Sequence, residues 1–450
     1  MNKIKYFGTD GIRGKVGGII MNPDFIKFLG LIIGNIFTEN KIIKNRKIGF
    51  LIGKDTRLSS NLFETSLING LLNFDVYIIL SGIIPTSAIS YLTYRFRLNF
   101  GIVISASHNT YEYNGIKFFS YKGKKISSSL KNNIEQKIKK LIHFKNNIFK
   151  LNCKKLKYSN EYYINFCRRN FPKDLSLKNI KIIIDSANGS SYHVSSNIFK
   201  NLGAKVYKIG HLPDGFNINK NFGTINSNYL KLEIFNKKAD FGISFDGDAD
   251  RLSVIDSNLR EYNGDELLYT IIKERIKNKI VTGVVGTKMT NYGLECKLNN
   301  LKIPFKRVNV GDHYIFEKLQ KLGWIFGGEG SGHLLFLDRH FTGDGIISSL
   351  QILTTLIRSK KKLSCWVNDI KMYYQYSLNI SLPSYINWKI NINLLNILNI
   401  LIKKLKDKGR VIVRQSGTEP KLRIMSECRS KYLSKKSILQ IYNKVKKEWY

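Results

Sequence analysis

The feature that most constrains this chain is an alternation that begins at Lys47 and persists through most of its length. Short apolar, β-branched runs (Ile48 to Ile52, Val76 to Leu80, Ile102 to Ile104) are separated by helix-length segments at about Ser60 to Asn73 and Thr86 to Arg95. Strands alternating with helices of about ten or more residues imply βαβ units and a mostly parallel sheet. A polar, Lys- and Asn-rich segment around Lys139 to Asn160 interrupts the pattern and reads as a linker. The alternation resumes with strands at Ile180 to Ile184, Ala204 to Ile209 and Phe241 to Phe245, with a helix near Leu230. A third cycle has helices at Glu266 to Ile276, Gly293 to Leu298 and Asp312 to Leu322, and strands at Val281 to Val285 and Trp324 to Phe326.

Each cycle ends a strand in a conspicuous polar loop, without a residue-level repeat behind it. A long helix (about Asp344 to Ser359) and a less regular stretch (Lys371 to Asn393) follow. The remainder reads helix (Leu394 to Lys406), strand (Arg410 to Val413), strand (Leu422 to Met425), helix (Lys435 to Lys447), a smaller α+β unit. The expected division is 1–150, 151–255 and 256–368 as α/β domains and 369–450 as an α+β domain.

Composition narrows the class. At 43% hydrophobic and 24% charged residues the chain matches a soluble globular protein, which excludes disorder. The formal charge of +40, from 73 Lys and Arg against 33 Asp and Glu, raises a nucleic-acid-binding protein as an alternative. The basic residues are scattered among Ile and Asn and form no stripe or tail, so no specific nucleic-acid partner is expected; a general positive field favours anionic substrates. Five widely spaced cysteines form no disulfide framework or zinc pattern. The start MNKIKYFGTDG has no apolar core, and no run reaches the roughly eighteen apolar residues of a membrane span, so a cytoplasmic protein is expected.

Four loops carry chemistry. After Ile102 to Ile104 comes Ser-Ala-Ser-His-Asn, placing Ser105, Ser107 and His108 at the carboxyl end of a strand, where α/β sheets collect ligands. A polar turn after a core strand is the plain alternative. Asp246-Gly247-Asp248-Ala249-Asp250-Arg251 sets three carboxylates two residues apart after a strand whose apolar run reads as buried. At 4 Å and an effective dielectric of about 20, each like-charge pair costs roughly 4 kcal/mol, so a hard cation, Mg²⁺ or Ca²⁺, is expected among them. An EF-hand is excluded because Arg251 and Ser257 stand where its Gly and Glu belong. Gly327 to His333 (GGEGSGH) offers Glu329, Ser331 and His333; its glycine spacing is not the dinucleotide fingerprint, and it suits sugar hydroxyls or a plain turn. Arg410 to Arg423 (RVIVRQSGTEPKLR) brings Arg414, Ser416, Gly417, Thr418 and Arg423 together, an inventory for a phosphate dianion. Near the start, FGTDGIRG gives Arg13 a glycine-flanked setting from which to reach an anion, or to pair with Asp10.

FGTDGIRG, ISASHN, DGDADR, G-E-x-S-G-H and R-x-S-G-T-E-P, in this order, resemble the α-D-phosphohexomutase superfamily over essentially the whole chain, and within it the branch acting on hexosamine phosphates. The resemblance implies three successive mixed-sheet α/β domains plus a smaller C-terminal α+β domain around a central cleft. It implies that Ser107 is the phosphorylated residue and that Asp246, Asp248 and Asp250 bind one Mg²⁺ per chain, with an oxygen of phosphoserine 107 as a further ligand. Glu329, Ser331 and His333 would face the sugar; Arg414, Ser416, Gly417, Thr418 and Arg423 would hold the non-reacting phosphate. Lys117 and His108 become candidates for general acid/base, with Arg13 beside them. The implied reaction interconverts glucosamine 6-phosphate and glucosamine 1-phosphate with a sugar 1,6-bisphosphate as activator, feeding UDP-N-acetylglucosamine and cell-wall synthesis, in a monomer or homodimer.

Thr110, Gly330 and His313 depart from the family pattern. The last two lie near the expected sugar loop and bear on substrate preference, leaving mannose and glucose phosphates as alternative substrates. A metal-dependent phosphatase using the same carboxylates is a further alternative.

Overall fold

The computed structural model describes residues 6–8, 10–39, 47–140, 152–277, 280–382, 388, 391–415 and 421–449. Two compact units emerge, Met1–Lys288 with Lys306–Trp366, and Met289–Phe305 with Val367–Tyr450.

In chain order the first unit opens with β1 (Ile12–Lys15), α1 (Pro23–Glu39), β2 (Ile48–Lys54), α2 (Leu58–Leu71), β3 (Val76–Ile83), α3 (Thr86–Arg95), β4 (Phe100–Ile104), β5 (Tyr113–Ser120), α4 (Ser128–Lys139) and β6 (Cys153–Lys155). These strands form a six-stranded sheet in the order β1-β5-β4-β2-β3-β6. All five residues of β4 are buried, which is why an unbroken apolar run, not an alternating one, marks it in the sequence. Phe50, Phe100 and Ile102 pack against Ile33, Phe63 and Leu67 of α1 and α2, each buried side chain contributing about 1.5–3 kcal/mol. The first sheet also extends past residue 150: β6, inside the stretch read as a linker, pairs parallel to β3.

Next come α5 (Ser159–Arg169), β7 (Lys181–Asp185), α6 (Val194–Asn201), β8 (Lys205–Ile209), α7 (Asn228–Lys237), β9 (Phe241–Phe245), β10 (Leu252–Asp256) and β11 (Glu261–Tyr262). Their sheet runs β11-β10-β9-β7-β8. The third group comprises α8 (Gly264–Ile276), β12 (Val284–Thr287), α9 (Tyr292–Asn300), β13 (Phe305–Val308), α10 (Asp312–Leu322), β14 (Phe326–Gly328), β15 (Leu334–Phe336), α11 (Gly345–Ser359) and α12 (Leu363–Val367), with sheet order β13-β12-β14-β15.

The three sheets share one topology. In each, a first strand has the second on one side and the third on the other, and a fourth returns antiparallel beside the third, giving β5-β4-β2-β3, β10-β9-β7-β8 and β15-β14-β12-β13. The three polar loops of this unit are the connections from third to fourth strand: β4 to β5, β9 to β10, β14 to β15. The similar organisation visible in sequence is thus a repeat of topology. The sheets are mixed, as the resemblance implies, and not mostly parallel as the alternation alone suggests, because each returning strand is joined by a short loop and not by a crossover helix.

The second unit holds α9, β16 (Tyr374–Ser381), α13 (Ile392–Leu405), β17 (Gly409–Gln415), β18 (Lys421–Cys428) and α14 (Lys431–Trp449), with the sheet order β16-β18-β17. The stretch read as irregular contains β16, which pairs with β18 along its whole length. It is a largely exposed edge strand of Tyr, Asn and Ser, so it lacks the apolar signal of a core strand. Among the described residues no helix is long and apolar enough to cross a membrane, and all five cysteines are free.

Candidate active site

Ser107 sits in the β4–β5 loop with φ of 55° and is 1% exposed. Two side chains that the sequence reading did not single out hold this left-handed turn. Arg57, fully buried after β2, donates from Nε to Tyr113 O (2.9 Å) and from Nη2 to Ser107 O (3.1 Å) and Asn109 O (2.6 Å). Asn219 Nδ2 donates to the same two carbonyls, Ser107 O (2.9 Å) and Asn109 O (2.8 Å). Asp55 anchors Arg57 through Nη1 at 3.2 Å. The available signal was the Lys-Asp-Thr-Arg run closing β2, again polar residues at a strand end.

Against this loop lies the β9–β10 turn. Gly247 is required there: a Cβ would stand 2.7 Å from Ser107 O and 2.8 Å from Asn219 Nδ2. The close approach brings Ser107 Oγ within 2.5 Å of Asp246 Oδ2, so loops 139 residues apart in sequence meet. Asp246, Asp248 and Asp250 are all buried, and one ligand oxygen from each lies within 4.8 Å of the others.

Each carboxylate has an oxygen tied to the protein. Arg251 N donates to Asp246 Oδ1 (3.0 Å), Thr86 Oγ1 to Asp248 Oδ2 (2.5 Å), and Lys117 Nζ to Asp248 Oδ2 (2.7 Å) and Asp250 Oδ2 (2.8 Å). The Oδ1 atoms of Asp248 and Asp250 are buried without a hydrogen-bond partner. Oxygen-only donors, buried and partly unsatisfied, fit a hard divalent cation. Burial, then Asp250 and Asp248, push Asp246 up to about 8; a cation among the three would act in the opposite direction.

Lys117, expected at the end of the serine loop, lies within β5 opposite Val103 and reaches back under the aspartates. It also pairs with Asp10 Oδ2 at 2.8 Å. Burial alone would lower its pKa, but Asp10, Asp248 and Asp250 outweigh it and hold the ammonium charged. His108 Nδ1 is 3.5 Å from Ser107 Oγ. Burial, with Arg251 and Arg13 nearby, lowers its pKa to about 4, leaving it neutral near pH 7. Arg13 pairs with Asp10 at 2.7 Å, and its Nε is buried without a partner.

The β14–β15 turn supplies the third loop. Gly332 (φ 88°) packs onto β10, where a Cβ would come within 1.9 Å of Leu252 O. Glu329 Oε1 accepts from Gly311 N at 3.1 Å, and Ser331 is exposed. His333, expected to face the sugar, is instead buried, with Nδ1 3.4 Å from Asp250 Oδ1 and Nε2 3.1 Å from Asp312 Oδ2. Burial opposes its charge, yet Asp250 and Asp312 push it up to about 10. Lys125, absent from the sequence-based set, bridges Asp10 and Asp312. The buried residues therefore form one alternating lattice of acids and bases beneath the three loops.

In the second unit, Arg414 and Arg423 face each other across β17 and β18. Like charges directly opposite cost roughly 0.2–1 kcal/mol, which a bound anion would offset. Arg423 Nε is buried without a partner. Ser416, Gly417 and Thr418 lie outside the described residues.

Most of the chain matches the four domains described as phosphoglucomutase/phosphomannomutase: alpha/beta/alpha domain I over residues 4–143, domain II over 161–260, domain III over 263–373 and the C-terminal domain over 393–443. The chain belongs to the phosphoglucomutase/phosphomannomutase family. A phosphoglucosamine mutase from Bordetella pertussis is 44% identical over 442 residues, 97% of this chain and 98% of that protein. A phosphoglucomutase/phosphomannomutase family protein from Burkholderia thailandensis superposes with a TM-score of 0.79 at 20% identity, covering 97% and 96% of the two chains. The fold is also that of Aspergillus fumigatus N-acetylphosphoglucosamine mutase, solved in complex with GlcNAc-6P and magnesium (TM-score 0.65, 15% identity, 98% and 96% covered). Family membership makes this chain a phosphohexomutase, an isomerase working by phosphoryl transfer.

Proposed function

We propose that the chain interconverts glucosamine 6-phosphate and glucosamine 1-phosphate in the cytoplasm, through a phosphorylated Ser107 and a bisphosphorylated sugar. The observation that carries the nucleophile assignment is Ser107 Oγ at 2.5 Å from the buried Asp246 carboxylate, in a loop gripped by Arg57 and Asn219. The choice of hexosamine rests on the near full-length 44% identity to a phosphoglucosamine mutase.

In the forward half-reaction the P–O bond to Ser107 Oγ breaks as a sugar hydroxyl oxygen bonds to phosphorus, and the hydroxyl proton passes to a base. Of the two candidates, His108 is the one whose ring nitrogen faces Ser107 Oγ, while Lys117 is engaged by three carboxylates and suits charge stabilisation. The freed Ser107 Oγ takes up a proton; the bisphosphate then reorients, its other P–O bond breaks as Ser107 Oγ, giving up that proton, bonds to phosphorus, and the departing sugar oxygen is protonated in turn; a free sugar 1,6-bisphosphate restores any enzyme that loses its phosphate. Mg²⁺ held by Asp246, Asp248 and Asp250, with a phosphoserine oxygen, would supply neutralisation of the charge on the transferring group. Arg13, near Asp10, lies within the same cationic surround. Glu329 and Ser331 meet sugar hydroxyls, His333 orients Asp250, and Arg414, Ser416, Gly417, Thr418 and Arg423 take the non-reacting phosphate.

Intact-mass measurement before and after Ser107→Ala tests the core of this reading. Loss of one phosphate together with mutase activity is expected; a variant still phosphorylated and active would move the assignment to Ser105. Turnover of glucosamine, glucose and mannose phosphates, compared with a bisphosphate activator present, tests the substrate. A large preference for either hexose phosphate would favour the phosphoglucomutase or phosphomannomutase reading. Gly330, where a Cβ would meet Asp265 Oδ2 at 3.2 Å, and His313, whose Nδ1 is buried without a partner, are the positions to examine in that case.

A further inference from the structure

A cavity of about 260 Å³ lies apart from the catalytic loops, bordered by Arg169, Arg275, Arg339 and Arg358 together with Gln351 and Glu274. Three of these arginines stand in the last turns of separate helices, α5, α8 and α11. A basic residue near a helix C-terminus is ordinary, and worth about 0.3–1 kcal/mol on a surface. That does not account for four guanidinium groups turned into one hollow.

Their partners leave the hollow positive. Arg275, with a side chain 14% exposed, donates to Gln351 Oε1 at 2.6 Å and lies 3.5 Å from Glu274. Arg339 is 3.1 Å from Asp338, without hydrogen-bond geometry at its buried Nε. The only carboxylate near Arg358 among the described residues is the exposed Asp174 at 3.9 Å, and Arg169 makes no ion pair among them. Burial, together with the charges of Arg339 and Arg358, lowers the pKa of Arg275 despite Asp338 and Glu274.

The cavity is remote from the chemistry yet built on the same helices. Gly264 N at the start of α8 donates to Gly330 O in the sugar loop, and Gly345 N at the start of α11 donates to Ala249 O in the metal loop, each at 3.0 Å. At about 1.5 Å per residue, the 13 residues of α8 and 15 of α11 put the arginines roughly 20 Å away. A ligand here cannot be the reacting sugar.

We propose that this cavity is a second anion site, taking a small molecule that bears one or two phosphate groups between Arg169, Arg275, Arg339 and Arg358. Four forked guanidinium groups border one cavity, the donor type that binds phosphate oxygens in pairs, and the volume is that of a compact phosphorylated metabolite and too small for a macromolecular segment.

Calorimetric titration with pyrophosphate at constant ionic strength tests it, and binding at this cavity is read as the part of the isotherm that its variants lose, since the catalytic phosphate sites are the same in all of them. The full chain should bind one pyrophosphate more than the double variant below, with orthophosphate weaker. The double variant Arg169→Gln, Arg358→Gln changes two exposed side chains, and should lose roughly tenfold or more in affinity while keeping its denaturation midpoint and its mutase turnover. Arg275→Lys, which keeps the charge and loses the fork, should fall between the two. An isotherm unchanged by the double variant, or heat no greater than with chloride at matched ionic strength, overturns the proposal.

Discussion

Arg57 provides the sharpest test of how this fold makes its site, because it touches only backbone of the serine loop and the carboxylate that anchors it. Replacing it with Lys keeps a cation for Asp55, but an ammonium cannot reach the carbonyls of Ser107, Asn109 and Tyr113 at once as the guanidinium does. Hydrogen bonds from a charged donor are worth about 1.5–3 kcal/mol each, so losing two, with partial recovery by water or relaxation, should cost about 3 kcal/mol of stability. The same loss frees a turn that holds Ser107 at φ 55°, and a displacement of order 1 Å at the nucleophile lowers kcat by roughly 100-fold, with little change in KM. Asn219→Ala removes two neutral hydrogen bonds to carbonyls that Arg57 also serves and should cost about 1–2 kcal/mol. Since each donor backs up the other, the double variant should lose more than the sum of the singles, by about 1 kcal/mol or more. Denaturant unfolding, steady-state kinetics and hydrogen exchange of the amides of residues 105–113 measure these effects. Wild-type midpoint and kcat in Arg57→Lys, or strict additivity in the cycle, would refute the idea that the two side chains jointly set the loop.

Further expectations concern the carboxylates. Asp248→Asn removes an anionic ligand while leaving Lys117 paired with Asp10 and Asp250, so it should weaken Mn²⁺ binding, followed by electron paramagnetic resonance, at least roughly tenfold without unfolding the chain; unchanged affinity would place the cation elsewhere. Asp185, at the end of β7, is pushed by burial up to about 7 from 3.8, although the backbone N–H groups of Gly223 and Ala187 act against it. Its native state keeps a proton that the unfolded chain has released, so stability is fully present below about pH 4 and falls as the pH rises to about 7, by at most about 4 kcal/mol. Asp185→Asn has no such titration, and the difference in unfolding free energy between the two proteins should shrink or reverse across that window; a pH-independent difference would count against the shift.

Much of the site was readable before any coordinates. Ser107 and the three aspartates, which folding brings together, lie in short polar bursts directly after apolar runs, and a local contrast of that kind survives in sequence because strand and loop are contiguous. The α/β class followed from the same contrast. What tertiary structure alone decided is how these bursts are joined. Whether a returning strand pairs antiparallel depends on which neighbour's backbone groups are free, so the mixed sheets and their shared order were invisible to a periodicity argument. Contacts between distant segments were hidden for the same reason. Arg57 and Asn219 matter because they meet Ser107 across 50 and 112 residues, Lys125 because it joins Asp10 to Asp312, and His333 because folding turns it inward between two carboxylates. A burial-driven pairing of this kind has no local signature, since the partner that makes a buried charge tolerable is chosen by the packing of elements and not by its position along the chain.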